Sequence, residues 1–192
     1  FKTYDELWNA FAKQMEYFIN IKIHGSNIIE RIFAEYMPVP FLSIITNDCI
    51  SCGKDYNAGG ARYNTKYLQG VGIGTITDCL SSIKYNVYDS QNFTMEELML
   101  AMEDNFAGHD RIHNLVSNKT PKYGNDDDYA DNIMKAIFEL YRKLVTDRPN
   151  MTGGKYRINM LPTTCHVYFG EVMLASANGR LAHKPVSEGI SP

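Results

Sequence analysis

A chain of 192 residues, 44% apolar and 21% charged, holds enough apolar surface for a compact core, which excludes a disordered or fibrous polypeptide. With 19 Lys and Arg against 22 Asp and Glu the net charge is −3, so no basic field is available to hold nucleic acid or an anionic membrane. The apolar runs fall short of the roughly 20 residues that a membrane helix needs, and the first residues lack a signal peptide's cationic start, which predicts a soluble, cytoplasmic protein.

Thr3 and Glu6 have the spacing of a capping box, in which a hydroxyl and a carboxylate satisfy the free amides of a helix start. Leu7, Trp8, Phe11, Met15, Phe18 and Ile19 recur at helical steps toward a break at Gly25; Ile28, Ile29, Ile32 and Phe33 resume the pattern until Pro38 and Pro40. Phe41 to Thr46 is a nearly continuous apolar run after prolines and predicts a strand buried on both faces of a parallel, helix-covered sheet. From Asn47 to Gly74 glycines crowd together, predicting a long loop with close backbone approaches.

Thr77 predicts the cap of a short helix through Lys84, and Thr94 with Glu97 makes a second capping box ahead of Leu98, Ala101, Met102 and Phe106. Asp126, Asp127 and Asp128 precede the helical stripe Ile133, Ile137, Leu140, Tyr141 and Leu144. Acids there suit the positive end of a helix, and three consecutive side chains diverge too much to favour a metal site. Tyr156 to Phe169 alternates imperfectly and predicts a strand entering a second extended segment, bent at Pro162. Ala177-Asn178-Gly179-Arg180 has turn chemistry, and Lys184 to Pro192 reads as an irregular surface or lid segment. No repeat or composition shift divides the chain, so residues 1–192 are expected to form one partial domain. The start at Phe1 and the stop at Pro192 suggest a fragment.

Local motifs do not name a reaction. Cys49-Ile50-Ser51-Cys52 has redox or half-zinc spacing but no second pair, and free thiols are expected for Cys49, Cys52, Cys79 and Cys165. Gly70-Val71-Gly72-Ile73-Gly74-Thr75 permits close backbone approach but lacks the Walker lysine and the dinucleotide spacing. His109 and His113 stand four apart without the glutamate of a zinc protease, and no metal site is expected.

A longer pattern carries more. Tyr56 to Asn64, Gln69 to Asp78 with Ile83-Lys84, and Ala175 to Arg180 with Pro185, Ser187, Gly189, Ser191 and Pro192 resemble, in order, segments of the glycyl radical enzymes. The resemblance implies an α/β fold: a ten-stranded barrel in two five-stranded parallel halves sheathed by helices, with this chain in the second half. Ile28 to Ile32, Met37 to Ser43, Lys119 to Asp128 and Asn159 to Glu171 are most similar to the branch of the family that removes water from trans-4-hydroxy-L-proline. Glycerol or propanediol dehydration and choline trimethylamine cleavage are the alternatives within the family, and a non-catalytic binding module is the alternative outside it.

The implied chemistry passes spin from a glycyl radical to a cysteine sulfur, which abstracts hydrogen beside the ring nitrogen. The hydroxyl then leaves as water with acid and base assistance, giving 1-pyrroline-5-carboxylate after the hydrogen returns. The thiyl cysteine, its glutamate and the radical glycine belong to motifs expected before Phe1 and after Pro192, so no catalytic residue is expected within the chain, which alone would be inactive. The radical would be installed by a separate activating enzyme carrying S-adenosylmethionine and an iron–sulfur cluster, and the full-length protein is expected to be a homodimer. Cys79 and Ala177 depart from the Ser and Pro usual in the family at those positions. Thr163, in Leu161-Pro162-Thr163-Thr164, matches a substrate-binding position on the pocket wall. Its alternative role is to bond local backbone around the Pro162 bend. Arg62 and Asn64 are expected to brace the glycine-rich loop.

Overall fold

Thr3 opens the first helix as its spacing predicts, but the glutamate of the pair reaches one residue further back than a capping box requires. Thr3 Oγ1 accepts the Glu6 amide at 3.2 Å, and the Glu6 carboxylate accepts the Lys2 amide at 2.7 Å. In the computed structural model, which describes residues 1–192, this helix α1 runs unbroken over Tyr4–Tyr36. The expected break at Gly25 does not occur: the residue keeps helical geometry with open space where a side chain would stand, and costs the helix only its propensity.

Phe41 to Thr46 is not the buried strand predicted. Pro40–Ile45 is a short helix, α2, with Pro40 in the first turn, where a missing amide loses no hydrogen bond. The Asp55 carboxylate fixes it by accepting the Val39 amide at 2.9 Å and the Ser43 hydroxyl at 2.8 Å. Phe41 and Ile45 are 86% and 80% exposed within this chain, so the apolar run faces outward rather than into a sheet.

Beyond α2 come a one-turn helix, α3 (Cys49–Cys52), a 3₁₀ turn at Tyr56–Ala58 and strand β1 (Lys66–Gln69). Helix α4 (Ile73–Ile83) starts four residues before the predicted Thr77 cap. Gly72, at φ 80°, turns the chain in the left-handed region and its carbonyl accepts the Ile76 amide, leaving Thr77 buried inside the helix. The helix continues as a π turn through Asp89, where buried Asn86 donates to Ser82 O and Thr120 Oγ1. The second capping box is present as predicted: Thr94 and Glu97 exchange both bonds at the start of α5 (Met95–Glu103).

Helix α6 (Asp110–Asn114) follows, and then α7 (Asp128–Val145), whose start Asp127 caps by accepting the Tyr129 amide at 2.9 Å. Strand β2 (Tyr156–Asn159) runs parallel to β1, because Lys66 N donates to Lys155 O and Gly70 N, four residues on, donates to Asn159 O. The predicted second extended segment is instead helix α8 (Cys165–Vаl172). Pro162 supplies no ladder amide, and the text beyond it follows helical rather than alternating geometry.

The chain folds as two compact units. The first comprises Phe1–Trp8, Gln69–Leu140 and Asn159–Pro192; its core holds Cys79, Phe93, Leu98, Ala101, Phe106, Ile112, Val116 and Ala177. The second comprises Asn9–Leu68 and Tyr141–Ile158, with Ile19, Ile23, Leu68, Val145 and Tyr156 at its centre. In the second unit Asn150 ties its own loop together: Oδ1 accepts the Thr152 and Gly154 amides, and Nδ2 donates to Asn64 O. No helix is long and apolar enough to cross a membrane.

Candidate functional site

Thr163 lies in the link between β2 and α8, and that link is held from several directions. The Gln69 side-chain amide donates to Leu161 O at 2.5 Å and to Gly70 O at 3.0 Å, while Asn159 Oδ1 accepts the Leu161 amide. Ile190 N donates to Met160 O, and Gly189 packs so closely that a Cβ there would stand 2.3 Å from that carbonyl. At Thr163 itself the hold comes from His166, whose Nδ1 donates to the Thr163 carbonyl at 2.6 Å. The Thr163 hydroxyl is withdrawn from solvent and makes no hydrogen bond, so it is not spent on backbone around the Pro162 bend.

The C-terminal segment is a strap rather than a loose tail. Ser187 N donates to Thr75 Oγ1 and Thr75 N to Ser187 Oγ, both at 2.8 Å, while Gly72 N donates to Ser187 O. A Cβ on Gly74 would meet Ser191 O at 2.7 Å, and one on Gly70 would meet the Met160 sulfur at 2.6 Å. The glycines between Gly70 and Gly74 therefore serve close packing of this strap and of the Thr163 link. The Gly179-Arg180 turn forms as its chemistry predicts. Gly179 takes φ 91°, and the Arg180 guanidinium donates to Ser176 Oγ and to the carbonyls of Leu174, Leu181 and Lys184.

The other sequence candidates are engaged structurally. His109 pairs with Asp104 at 2.9 Å, whereas His113 donates to Gly179 O and stacks on Phe106, so the two imidazoles serve different partners. Arg62 clasps Asp48 through Nε and Nη2 and holds that carboxyl below its usual range; Asn64 donates to Gly59 O and Ala61 O. Both brace the loop as expected. All four cysteines are free thiols. Cys49 and Cys79 are buried and desolvation pushes both thiols up, Cys79 within the core beside Phe93 and Leu98; Cys52 and Cys165 are exposed.

Sequence reasoning missed Gln69, His166 and the Thr75–Ser187 exchange. Gln69 and Thr75 meet partners 92 and 112 residues away, beyond any local pattern. His166 stands three residues from its acceptor, a spacing that becomes a signal only once the turn between them is known.

The sequence pattern of the pyruvate formate lyase-like family matches residues 1–170, and the chain belongs to that family. It is 63% identical over 192 residues to the trans-4-hydroxy-L-proline dehydratase of Clostridioides difficile, covering 100% of this chain and 24% of that enzyme. The crystal structure of hydroxyproline dehydratase from the same organism, with trans-4-hydroxy-L-proline bound, superposes on the whole chain with a TM-score of 0.96 over 24% of its own length. The glycerol-bound, B12-independent glycerol dehydratase of Clostridium butyricum is 36% identical and superposes with a TM-score of 0.94, again over 100% of this chain and 24% of that one. The chain thus spans about a quarter of the length of the relatives it matches.

Proposed function

We propose that residues 1–192 are part of a glycyl radical dehydratase, anaerobic and cytoplasmic, that converts trans-4-hydroxy-L-proline to 1-pyrroline-5-carboxylate and water. In the complete protein they form part of the second half of a ten-stranded α/β barrel domain. The observation that carries this reading is the 63% identity to a hydroxyproline enzyme along the entire chain, against 36% for the glycerol enzyme.

A glycyl radical, held on polypeptide outside this chain and installed by a separate S-adenosylmethionine and iron–sulfur enzyme, would supply hydrogen abstraction through a cysteine sulfur. That sulfur is expected on polypeptide before Phe1, and within this chain Cys49 and Cys79 are buried, Cys79 among core side chains. This chain contributes wall and orientation instead. The Thr163 hydroxyl has no partner of its own, so it can give or accept one hydrogen bond to a polar group of the substrate ring. The strap at Ser187 to Pro192 keeps the Thr163 link in place and helps to exclude water from a reaction that solvent would quench.

The test is turnover by the full-length protein after anaerobic activation, with hydroxyproline and glycerol supplied in parallel. Formation of 1-pyrroline-5-carboxylate from hydroxyproline, with glycerol untouched, is expected. Turnover of glycerol without hydroxyproline overturns the assignment.

A further inference from the structure

We infer that His166 is a positioning residue for substrate recognition: its Nδ1–H on the Thr163 carbonyl sets the direction in which the Thr163 side chain faces. This rests on the reading of Thr163 as pocket wall. A carbonyl oxygen only accepts, so the 2.6 Å contact fixes the proton on Nδ1. The carbonyl is one the helix leaves over. Val167 N, which would reach Thr163 O in a regular first turn, donates to Thr164 O instead, and the imidazole takes its place.

The backbone of His166 has its own support. Its carbonyl accepts the amide of Val186, the residue leading into the strap, at 3.3 Å, and Glu188 Oε2 of the strap stands 4.0 Å from Nδ1, beyond hydrogen-bond distance. Gln69, Asn159 and Ile190 hold Met160 and Leu161, on the near side of Pro162. Proline brings no amide to the link, so His166 is what ties the backbone at Thr163 to α8. Loss of that bond releases the backbone dihedrals at Thr163, on which the rotamer that directs its hydroxyl depends.

The test uses the full-length, radical-loaded enzyme. His166→Leu removes the donor and keeps bulk; His166→Asn keeps a donor near the Nδ1 position; His166→Gln carries its amide out toward the Nε2 position. His166→Leu is expected to raise KM for hydroxyproline about tenfold, with kcat within about threefold and the glycyl radical signal in electron paramagnetic resonance unchanged. His166→Asn should restore KM to within about threefold, and His166→Gln should not. If His166→Leu fails to fold, the Asn and Gln pair makes the same comparison. In a cycle with Thr163→Val, the His166 loss should vanish once Thr163 is gone.

Multiplying losses, or Asn and Gln variants equally impaired, would overturn the role of His166 while leaving Thr163 on the wall. A Thr163→Val enzyme with unchanged KM would overturn both.

Discussion

Leu98→Ala in the full-length protein is expected to destabilise the first unit by about 2–5 kcal/mol, one of the largest single effects available in this chain. Leu98 is 0% exposed and sits among Phe93, Ala101, Phe106 and Val116, so truncation leaves a cavity that rigid neighbours cannot fill. The readout is amide hydrogen exchange over α5 and α6. Opening there should accelerate thirtyfold or more, at about 1.4 kcal/mol per tenfold. Exchange unchanged to within about threefold would show that this cluster does not hold the unit together.

Gly170→Ala is the second. A Cβ at Gly170 would stand 2.2 Å from Lys184 O and 2.5 Å from Pro185 Cα, both backbone atoms that no rotamer change can move aside. Helix α8 and the segment leading into the strap must then separate, at a cost of about 1–3 kcal/mol. That movement reaches the bond from Val186 N to His166 O, and through it the Thr163 link. The expected result is weaker hydroxyproline binding by the assembled enzyme together with faster proteolytic cleavage between Leu181 and Glu188. A Gly170→Ala enzyme with wild-type KM and cleavage rate would contradict the packing described.

The parts of this fold legible in the sequence are those settled by bonds a few residues long. The Thr94–Glu97 box closes within one turn, so spacing alone identifies it, and the acidic run Asp126 to Asp128 marks the start of α7 without singling out Asp127 as its cap. Phe41 to Thr46 was not legible, because a short apolar run suits a buried strand or a helix equally, and the arbiter, Asp55, lies up to 16 residues away from the atoms it holds. Thr77 shows the same limit from the other side: a good capping residue lies inside α4 because the left-handed turn at Gly72 starts the helix earlier. Cys165 to Phe169 alternates well enough to mimic a strand, yet Gly170 packs this stretch as a helix against Lys184 and Pro185.

The site was legible only in outline. Thr163 was reached through family resemblance, since one threonine after a proline carries no local signal of binding. What holds it comes from far along the chain, Gln69 before it and Ile190 after it, and from a histidine whose nearness to Thr163 had no meaning until the turn between them was known. The Thr163 link is thus a tertiary product assembled from three stretches of sequence, while the helices around it are largely local ones.

The most direct test is a crystal structure of the full-length protein with trans-4-hydroxy-L-proline bound. The account predicts Thr163 Oγ1 about 3 Å from a polar atom of the substrate, with the His166 to Thr163 bond intact. Substrate bound elsewhere in the protein, with Thr163 facing bulk water, would contradict it.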